Sequence, residues 1–283
     1  MITILALAGL AGAASIQSRA VDTTIAYTPG ATILVINPSG KTVIRGADRS
    51  DIRIRATPPQ GDRIDIDRRG GLQIQRVVAG IPANAGPMLF ELDVPRGAPI
   101  DLLGQRTEVS VVGVLARIAV NSREGNIVIR GGRGVVKART ISGSVTVTGA
   151  DGALDLRSTS EAVTVDSSRG DLTAETRSGN IVTPLDGFRS VKATSLSGAI
   201  LLRGVPSREG AVAASSHSGD ITLAIPAGAN AEIRAGTTDG SIKWRVPGAP
   251  AGTATESRLI LGSGGGSIDL RSFGGTVRIG PTP

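Results

Sequence analysis

The only histidine of the sequence is the first candidate for catalysis. His217 lies between Ser216 and Ser218, which places an imidazole beside two hydroxyls. A nucleophilic triad needs a base, a hydroxyl and a carboxylate within hydrogen-bond reach of one another. However, His217 falls where the neighbouring repeats described below carry unrelated residue types, and both serines belong to hydroxyl positions that recur along the chain. We therefore interpret His217 as an outward-facing residue without a catalytic role.

Two pairs of carboxylates are candidates for acid–base chemistry on a sugar, as in some β-helix enzymes. Asp65 and Asp67 share one face of a strand, close to basic residues such as Arg63. Asp155 and Glu175 fall in neighbouring repeats among basic residues that alternate with them in sign: Lys137, Arg139, Arg157 and Lys192. Ion pairs on a solvated face account for both sets, so we predict no catalytic residue. An enzyme that acts on acidic polysaccharide stays the alternative interpretation.

Arginine supplies most of the positive charge. The net charge is +7, from 31 basic and 24 acidic residues, and only four of the basic residues are Lys. Guanidinium groups suit bidentate contact with phosphate or carboxylate, although genome composition would produce the same bias. Six arginines are candidates for a positive stripe that holds an anionic ligand by charge: Arg123, Arg130, Arg133, Arg139, Arg157 and Arg177.

The remaining chemistry is predicted to be absent. Without Cys there is no thiolate metal site, and the acidic residues are too dispersed for a calcium site. The glycine-rich segment Leu261–Ile268 lacks the Lys of a phosphate-binding loop. Three Phe, one Trp and one Tyr cannot supply the stacking platforms of a single-strand nucleic-acid binder. We expect no metal, no cofactor and no nucleic acid.

Composition favours short strands. The sequence has 39 Gly and 15 Pro and is rich in Val, Ile and Thr. β-Branched residues favour a pleated surface, and Gly, Pro and Ser interrupt strands. We therefore expect an aliphatic core made of many short strands.

A short motif, Ser-Gly-x-Ile, recurs along the chain, as at Ser178–Ile181 and Ser197–Ile200. We call its glycine position 0 of a repeat. Position 0 is occupied in turn by Gly125, Gly143, Glu161, Gly179, Gly198, Gly219, Gly240 and Gly266. The first four are 18 residues apart and later spacings rise to 26. Thr107 extends the series backwards, and Gly40 begins an isolated copy.

Apolar residues occupy fixed positions of each repeat. Position +2 holds Val109, Ile127, Val145, Val163, Ile181, Ile200, Ile221, Ile242 and Ile268. Position −7 is likewise aliphatic and ends with Ile233 and Leu259. One repeat, two short strands of period two, cannot bury its apolar side alone, whereas stacking at ~4.8 Å builds a continuous core. The sequence predicts an all-β, single-chain parallel β-solenoid, right-handed and β-helix-like, with coils of about 18 residues.

The Ser-Gly-x-Ile motif is interpreted as a corner of the coil. Hydroxyl residues at positions −3 and −1 can hydrogen-bond between coils and to the turn backbone, and glycine permits a sharp change of direction. Because Glu161 and Thr107 replace the glycine, the corner does not demand a positive φ in every coil.

The two ends of the repeat region are predicted to differ. Residues 47–98 alternate cleanly but follow no 18-residue spacing, so we expect antiparallel β-hairpins that cap the first end and shield its open edge. At the other end, "SFGGTVRIG" (Ser272–Gly280) is expected to be the closing strand.

The run Phe90–Val147 resembles the bacterial putative-adhesin family of β-strand-repeat proteins, mostly domains of unknown function. The family's early strand pair is matched at Ile33–Ile44, its strand ending in Val-Pro at Phe90–Pro95, and its late segment at Leu223–Ile233. The resemblance covers Asp22 to Ile279 and implies an exported β-solenoid, with no catalytic residues to carry over.

The first residues, "MITILALAGLAGAAS", form an apolar run that ends in small residues, as in a signal peptide cleaved before Ala14, although no basic residue precedes the run. The predicted layout is therefore a signal peptide at residues 1–14, an N-terminal β segment and cap at 22–98, and the β-solenoid at 99–280.

The sequence thus favours a non-enzymatic, exported protein of the periplasm, cell envelope or outer surface, an adhesin or scaffold that binds through its repeat faces. Its partner stays open among an anionic surface polymer, lipid head groups and another envelope protein. End-to-end self-association is a further possibility, because ladders of strands tend to pair at open edges.

Overall fold

The structure is a computed structural model that describes residues 14–17, 20–69, 71–81, 84–249 and 255–282. Apart from Ala14, the predicted signal peptide lies outside the described residues. The chain divides into two compact units, Met1–Ser142 and Gly143–Pro283. Each is built of β-strands, and no α-helix occurs in the described ranges. The predicted layout of cap and repeat region stays a prediction.

The described residues of the first unit form eleven strands. They are β1 (Ala14–Gln17), β2 (Val21–Ala26), β3 (Ile33–Ala47), β4 (Asp51–Ala56), β5 (Arg63–Asp67), β6 (Leu72–Val77), β7 (Met88–Pro95), β8 (Ile100–Val112), β9 (Ile118–Glu124), β10 (Ile127–Arg130) and β11 (Arg133–Thr140). Alternation decides their faces: in β4, Ile52 and Ile54 are fully buried while Arg53 and Arg55 point outward.

Parallel coils begin in the first unit with β3 and β8. These strands pair in parallel, with Ile33 opposite Ile100 and Gly40 opposite Thr107. The isolated Gly40 copy is therefore the coil next to the Thr107 coil. β8 then pairs in parallel with β9 and β10, and β9 with β11, in the register that the 18-residue spacing predicts.

Antiparallel strands, here called the cap, lie at the outer side of β3. On one face β6 joins β3 in parallel and continues antiparallel to β5 and β1. On the other face β7 joins β3 in parallel and continues antiparallel to β4 and β2. The cap thus changes strand direction one strand away from the first coil.

An inward-pointing arginine lies inside this cap. Arg76 of β6 is fully buried, and its Nε and Nη2 donate to Oδ2 of Asp62 at 2.8 and 2.6 Å. Its Nη1 donates to the carbonyl of Ser39 at 3.0 Å, and Asp62 Oδ1 accepts from the backbone N–H of Ala79 at 3.0 Å. Every charged atom is compensated, as a buried ion pair requires.

Fourteen strands occur in the part of the second unit that the structure describes. They are β12 (Val145–Thr148), β13 (Asp151–Ser158), β14 (Val163–Asp166), β15 (Arg169–Thr176), β16 (Ile181–Pro184), β17 (Phe188–Ser195), β18 (Ile200–Arg203), β19 (Ala211–Ser216), β20 (Ile221–Ile225), β21 (Ala231–Thr237), β22 (Ser241–Trp244), β23 (Glu256–Leu261), β24 (Gly266–Ser272) and β25 (Thr276–Pro281).

The second unit confirms the predicted columns through five coils. Val145, Val163, Ile181, Ile200 and Ile221 lie opposite one another on consecutive parallel strands and are all buried. On the other face β13, β15, β17 and β19 stack in the same way. Each buried aliphatic side chain contributes roughly 1.5–3 kcal/mol, so the stack is held by many similar contributions.

The last coil is not where the sequence predicts it. β24 lies between β19 and β21, and β25 lies between β20 and β22. Position 0 of this coil is therefore Gly275 rather than Gly266, and Ile268 belongs to position −7. The strand around Leu259 is antiparallel to β21 and ends the stack on that face. Ser272–Gly280 is an inserted coil, and the prediction of a closing strand is wrong.

Through the insertion, both strands of the last coil have two hydrogen-bonded neighbours, and Ile268, Leu270, Val277 and Ile279 are buried. On the face of β25, the open side of the stack lies instead at β22, which pairs only with β25 among the described residues. The spacing of the repeats could not predict this order of strands. Apolar and polar residues alternate in both β23 and β24, so either strand could follow β22 in the stack.

Candidate functional site

Hydroxyl side chains close the corners of the coils, as predicted. The backbone N–H of Gly198 donates to Ser195 Oγ at 2.9 Å, and that of Gly219 donates to Ser216 Oγ at 2.9 Å. Ser158 Oγ donates to the carbonyl of Gly143 at 2.8 Å, which joins two adjacent coils. The Ser-Gly-x-Ile motif is therefore structural.

The glycine of the motif has a second reason besides the predicted one. Gly40 and Gly125 have a positive φ, as the predicted change of direction allows. Gly198 and Gly219 do not have a positive φ. A Cβ at Gly198 would instead collide with the carbonyl oxygen of Gly179, and one at Gly219 with the carbonyl oxygen of Gly198. Close approach of stacked backbones, rather than a change of direction, excludes a side chain here.

His217 is exposed and stacks on Phe273 of the inserted coil, with ring centroids 4.9 Å apart and an interplanar angle of 11°. Both residues occupy position −2 of adjacent coils, which the pairing of Ser216 with Ser272 brings into register. Ser216 Oγ accepts from Gly219 N–H and serves the corner.

The candidate carboxylates are engaged by arginine. Asp65 accepts from Arg63 at 3.0 Å. Arg157 lies directly opposite Glu175 and bridges it, at 3.2 Å, to Asp155, at 3.0 Å. The pair of Arg157 and Glu175 is a cross-strand ion pair of the predicted kind, whereas the pairs of Arg63 with Asp65 and of Arg157 with Asp155 lie within one strand. No group of three or more His, Asp or Glu side chains that could hold a metal occurs among the described residues.

The six candidate arginines occupy several positions of the coils. In the first unit, Arg139 of β11 lies opposite Asn121 of β9, two residues from exposed Arg123. Arg130 and Arg133, both exposed, lie at the end of β10 and the start of β11, which is the other side of the coil.

In the second unit, Arg177 is exposed at position −2, while Arg157 is held by its two carboxylates. The six candidate arginines therefore do not form a single row within either unit, although they carry the same charge. Binding of an anion by the six arginines stays a prediction.

A groove on the outer face of β18, β20, β25 and β22 is lined by basic side chains that the sequence analysis did not select as candidates. Its volume is about 770 Å³. The first row across the four strands is Leu201, Thr222, Arg278 and Lys243. The second row is Arg203, Ala224, Gly280 and Arg245.

The second row explains the concavity. Arg245 N–H donates to the carbonyl of Ile279 at 2.7 Å, which places Arg245 beside Gly280. Ala224 and Gly280 have almost no side chain, and the long side chains of Arg203 and Arg245 flank them. Three strand spacings separate these arginines, roughly 14 Å. Ala224 is only 7% exposed although it alternates outward, because it lies at the bottom of the groove.

The groove carries uncompensated positive charge. Arg278 donates to Asp220 at 2.5 Å, whereas Arg203, Lys243 and Arg245 form no ion pair within the part of the chain that the structure describes. The hydrogen bond from Arg278 is the main cause that lowers the pKa of Asp220. The N–H of Thr276 and the nearby charges of Arg278 and Lys243 lower this pKa further.

Sequence reasoning missed the groove because its residues belong to four separate strands. In the linear sequence, Arg203, Arg245 and Gly280 are residue types that are ordinary at the outward positions of a strand. They become neighbours only through the insertion of β25, which places Gly280 beside Arg245. The spacing of the repeats in the sequence does not predict that insertion.

With the coils, the cap and this face described, the chain can be compared with known proteins. A family model described as Toastrack DUF4097 matches residues 33–279. The chain belongs to the Toastrack DUF4097 family. This agrees with the resemblance found in the sequence and with the observed β-solenoid. No curated protein is similar to this Toastrack chain.

Solved structures are similar to the chain at a low level. A putative adhesin from Parabacteroides merdae is 9% identical, with 93% of this chain and 98% of that chain covered and a TM-score of 0.36. A putative cell adhesion protein from Clostridium sporogenes is 9% identical over 93% and 100% of the two chains, with a TM-score of 0.23. A putative lipid binding protein from Parabacteroides distasonis is 9% identical over 92% and 96%, with a TM-score of 0.32.

Likenesses at this level do not transfer a ligand or an activity to this Toastrack protein. Its chemistry has to be argued from its own side chains. Within the described ranges, no helix has the length and hydrophobicity needed to cross a membrane.

Proposed function

We propose that this protein is a non-enzymatic, exported scaffold of the bacterial cell envelope that binds anionic envelope components through the outer faces of its coils. An adhesin role is one form of this function. The observation that carries the proposal is the groove face of β18, β20, β25 and β22. There Arg203, Lys243 and Arg245 are held in fixed rows and form no ion pair with any acidic residue that the structure describes.

Rigidity supports this proposal. The interior of each unit is filled by aliphatic columns, and the corners are fixed by buried hydroxyls such as Ser195 and Ser216. Outward side chains are therefore held at the spacing of the strands, about 4.8 Å. A repetitive surface of this kind suits a repetitive anionic ligand, since charges at fixed intervals bind it without ordering loops.

Export is supported by the apolar amino-terminal run that ends in small residues at Ala13 and Ala14. Fractionation of the producing bacterium, with a carboxy-terminal epitope tag on the chain, tests the proposal. We expect the tagged protein in the periplasmic or envelope fraction, and a variant that lacks residues 2–13 in the cytoplasm. Recovery of the unaltered protein from the cytoplasm alone would overturn the proposal.

The enzymatic alternative needs a separate assay. Incubation of the purified protein with acidic polysaccharides such as polygalacturonate should release no new reducing ends. If they were released and the double variant Asp155→Asn/Glu175→Gln released none, the assignment as a non-enzymatic scaffold would be wrong.

A further inference from the structure

The groove of the second unit has two kinds of surface that one ligand must match. Its floor is formed by Leu201, Ala224, Gly280 and Pro281, which offer aliphatic atoms and backbone. Its rim is formed by Arg203 on one side and by Lys243, Arg245 and Arg278 on the other. A polar polymer would gain little from the floor, and a neutral hydrocarbon would gain nothing from the rim.

The basic rim and the apolar floor also lie in different parts of the groove. Lys243, Arg245 and Arg278 come from the adjacent strands β22 and β25, so three cations converge at one end. Arg203 lies on β18 at the other end, beyond the gap made by Ala224 and Gly280. A compact anion at the three cations can therefore continue into an apolar chain along the floor.

The acidic side chains around the groove leave this charge in place. Asp220 forms its ion pair with Arg278, accepts from the N–H of Thr276, and lies near enough to Lys243 for that charge to lower its pKa. Asp186 approaches the backbone of Gly204, the residue after Arg203, and forms no ion pair with Arg203 among the described residues. Two guanidinium groups and one ammonium group form a rim that matches a phosphate better than a single carboxylate, because together they offer more donors than a carboxylate can accept.

We propose that this groove binds a single-chain lipid phosphate, with the phosphate at Lys243, Arg245 and Arg278 and the hydrocarbon chain over Ala224 and Gly280. The proposal rests on the proposed function and names the ligand class of its binding face. A volume of about 770 Å³ is in the range of pockets that hold small amphiphilic ligands.

The test is calorimetric titration of the full chain with dodecyl phosphate below its micellar concentration. Dodecyl maltoside supplies the same chain on a neutral head, and inorganic phosphate supplies the head alone. We expect saturable binding at one site for dodecyl phosphate and no saturation for the other two. Equal binding of the maltoside would remove the role of the cations, and equal binding of inorganic phosphate would remove the role of the floor. Either result overturns the proposal.

Variants locate the ligand. Arg245→Gln/Arg278→Gln should weaken dodecyl phosphate binding about tenfold or more, since each arginine supplies charge-assisted contacts to the phosphate. The matched control Arg189→Gln/Arg271→Gln removes the same net charge from exposed residues outside the groove and should leave affinity unchanged.

Gly280→Val should abolish binding without harming the fold. Gly280 does not have a positive φ, and the nearest atom to a Cβ placed there is Cβ of Arg245 at 3.5 Å. Its circular dichroism spectrum and melting temperature should match those of the unaltered protein. Undiminished binding by Gly280→Val, or equal losses in the two arginine double variants, would overturn the proposal.

The two proposals fail separately. Envelope localisation without dodecyl phosphate binding would remove the lipid phosphate and leave the scaffold. Groove-dependent binding by a protein found only in the cytoplasm would remove the envelope scaffold and leave the site.

Discussion

At the corners of the coils, single atoms decide which residues are allowed. At Gly179, Gly198 and Gly219, the carbonyl oxygen of position 0 in the preceding coil occupies the space that a Cβ would need. That preceding residue can itself be larger than glycine, as Glu161 is for Gly179. At these corners the motif therefore reflects close approach of the stacked backbones, whereas Gly40 and Gly125 also have a positive φ.

This reading predicts opposite outcomes for two glycine substitutions. Gly198→Ala should lower the free energy of unfolding by about 1–3 kcal/mol, because its Cβ has to displace backbone that cannot move freely. Gly280→Ala should change it little, because its Cβ would only make an ordinary van der Waals contact, 3.5 Å from Cβ of Arg245. Urea denaturation followed by circular dichroism measures both. Equal midpoints for the two variants would contradict the close-approach explanation.

Arg76 and Asp62 form a buried ion pair in the first unit. Asp62→Ala would leave a fully buried guanidinium without its carboxylate, and we expect a loss of about 3–5 kcal/mol in stability. Thermal denaturation checks this. The matched control is Asp22→Ala, which removes the partner of exposed Arg53 and should leave the melting temperature close to that of the unaltered protein. A similar small shift for both variants would mean that the buried arginine finds other compensation.

Among the strands, the inserted coil distinguishes this chain from a simple ladder. β25 has β20 on one side and β22 on the other, whereas pairing of β22 is seen only with β25 in the described residues. Strands with two partners are protected from opening more strongly than strands at an edge.

Hydrogen exchange followed by mass spectrometry should therefore show slow exchange in β25 although it is close to the end of the chain. Peptides that cover Thr276–Pro281 should exchange about as slowly as those that cover Ile221–Ile225. Peptides that cover Ser241–Trp244 should exchange earlier. If β25 exchanged first, the order of strands described here would be wrong.

Over the whole chain, surface charge makes stability depend on acid. Arginine hydrogen bonds are the largest cause of a lowered pKa in four carboxyl groups: Asp22, Asp67, Asp220 and Glu232. A carboxyl group whose pKa is lower in the folded than in the unfolded chain stabilises the fold above its ordinary pKa. That contribution is lost as the pH falls through the folded value.

We therefore expect a nearly constant melting temperature from about pH 8 to 5 and a fall below about pH 4. The ordinary values are 3.8 for the aspartates and 4.5 for Glu232, so the loss belongs to this acid range. Calorimetry at a series of pH values measures it, with added salt as the control because salt weakens exposed pairs. A melting temperature that rises between pH 5 and 3 would contradict the assignment.

Local pattern was sufficient to predict most of the fold from the sequence. Alternation in strands such as β4 fixes which side chains are buried, and an 18-residue spacing fixes the register of neighbouring coils such as those of Val145 and Val163. Both signals are contained in short stretches of chain, because a parallel stack repeats the same inward positions in every coil.

Only the tertiary structure determined where the order of neighbouring strands departs from their order along the chain. The spacing of Gly240 and Gly266 fits a continued ladder, yet the chain returns and inserts β24 and β25 one coil earlier. Burial of Arg76 and the convergence of Arg203, Arg245 and Gly280 likewise depend on strands that are distant in sequence. Which strands become neighbours depends on how many hydrogen-bonded sides each arrangement satisfies, and that quantity belongs to the assembled sheet rather than to any segment of the chain.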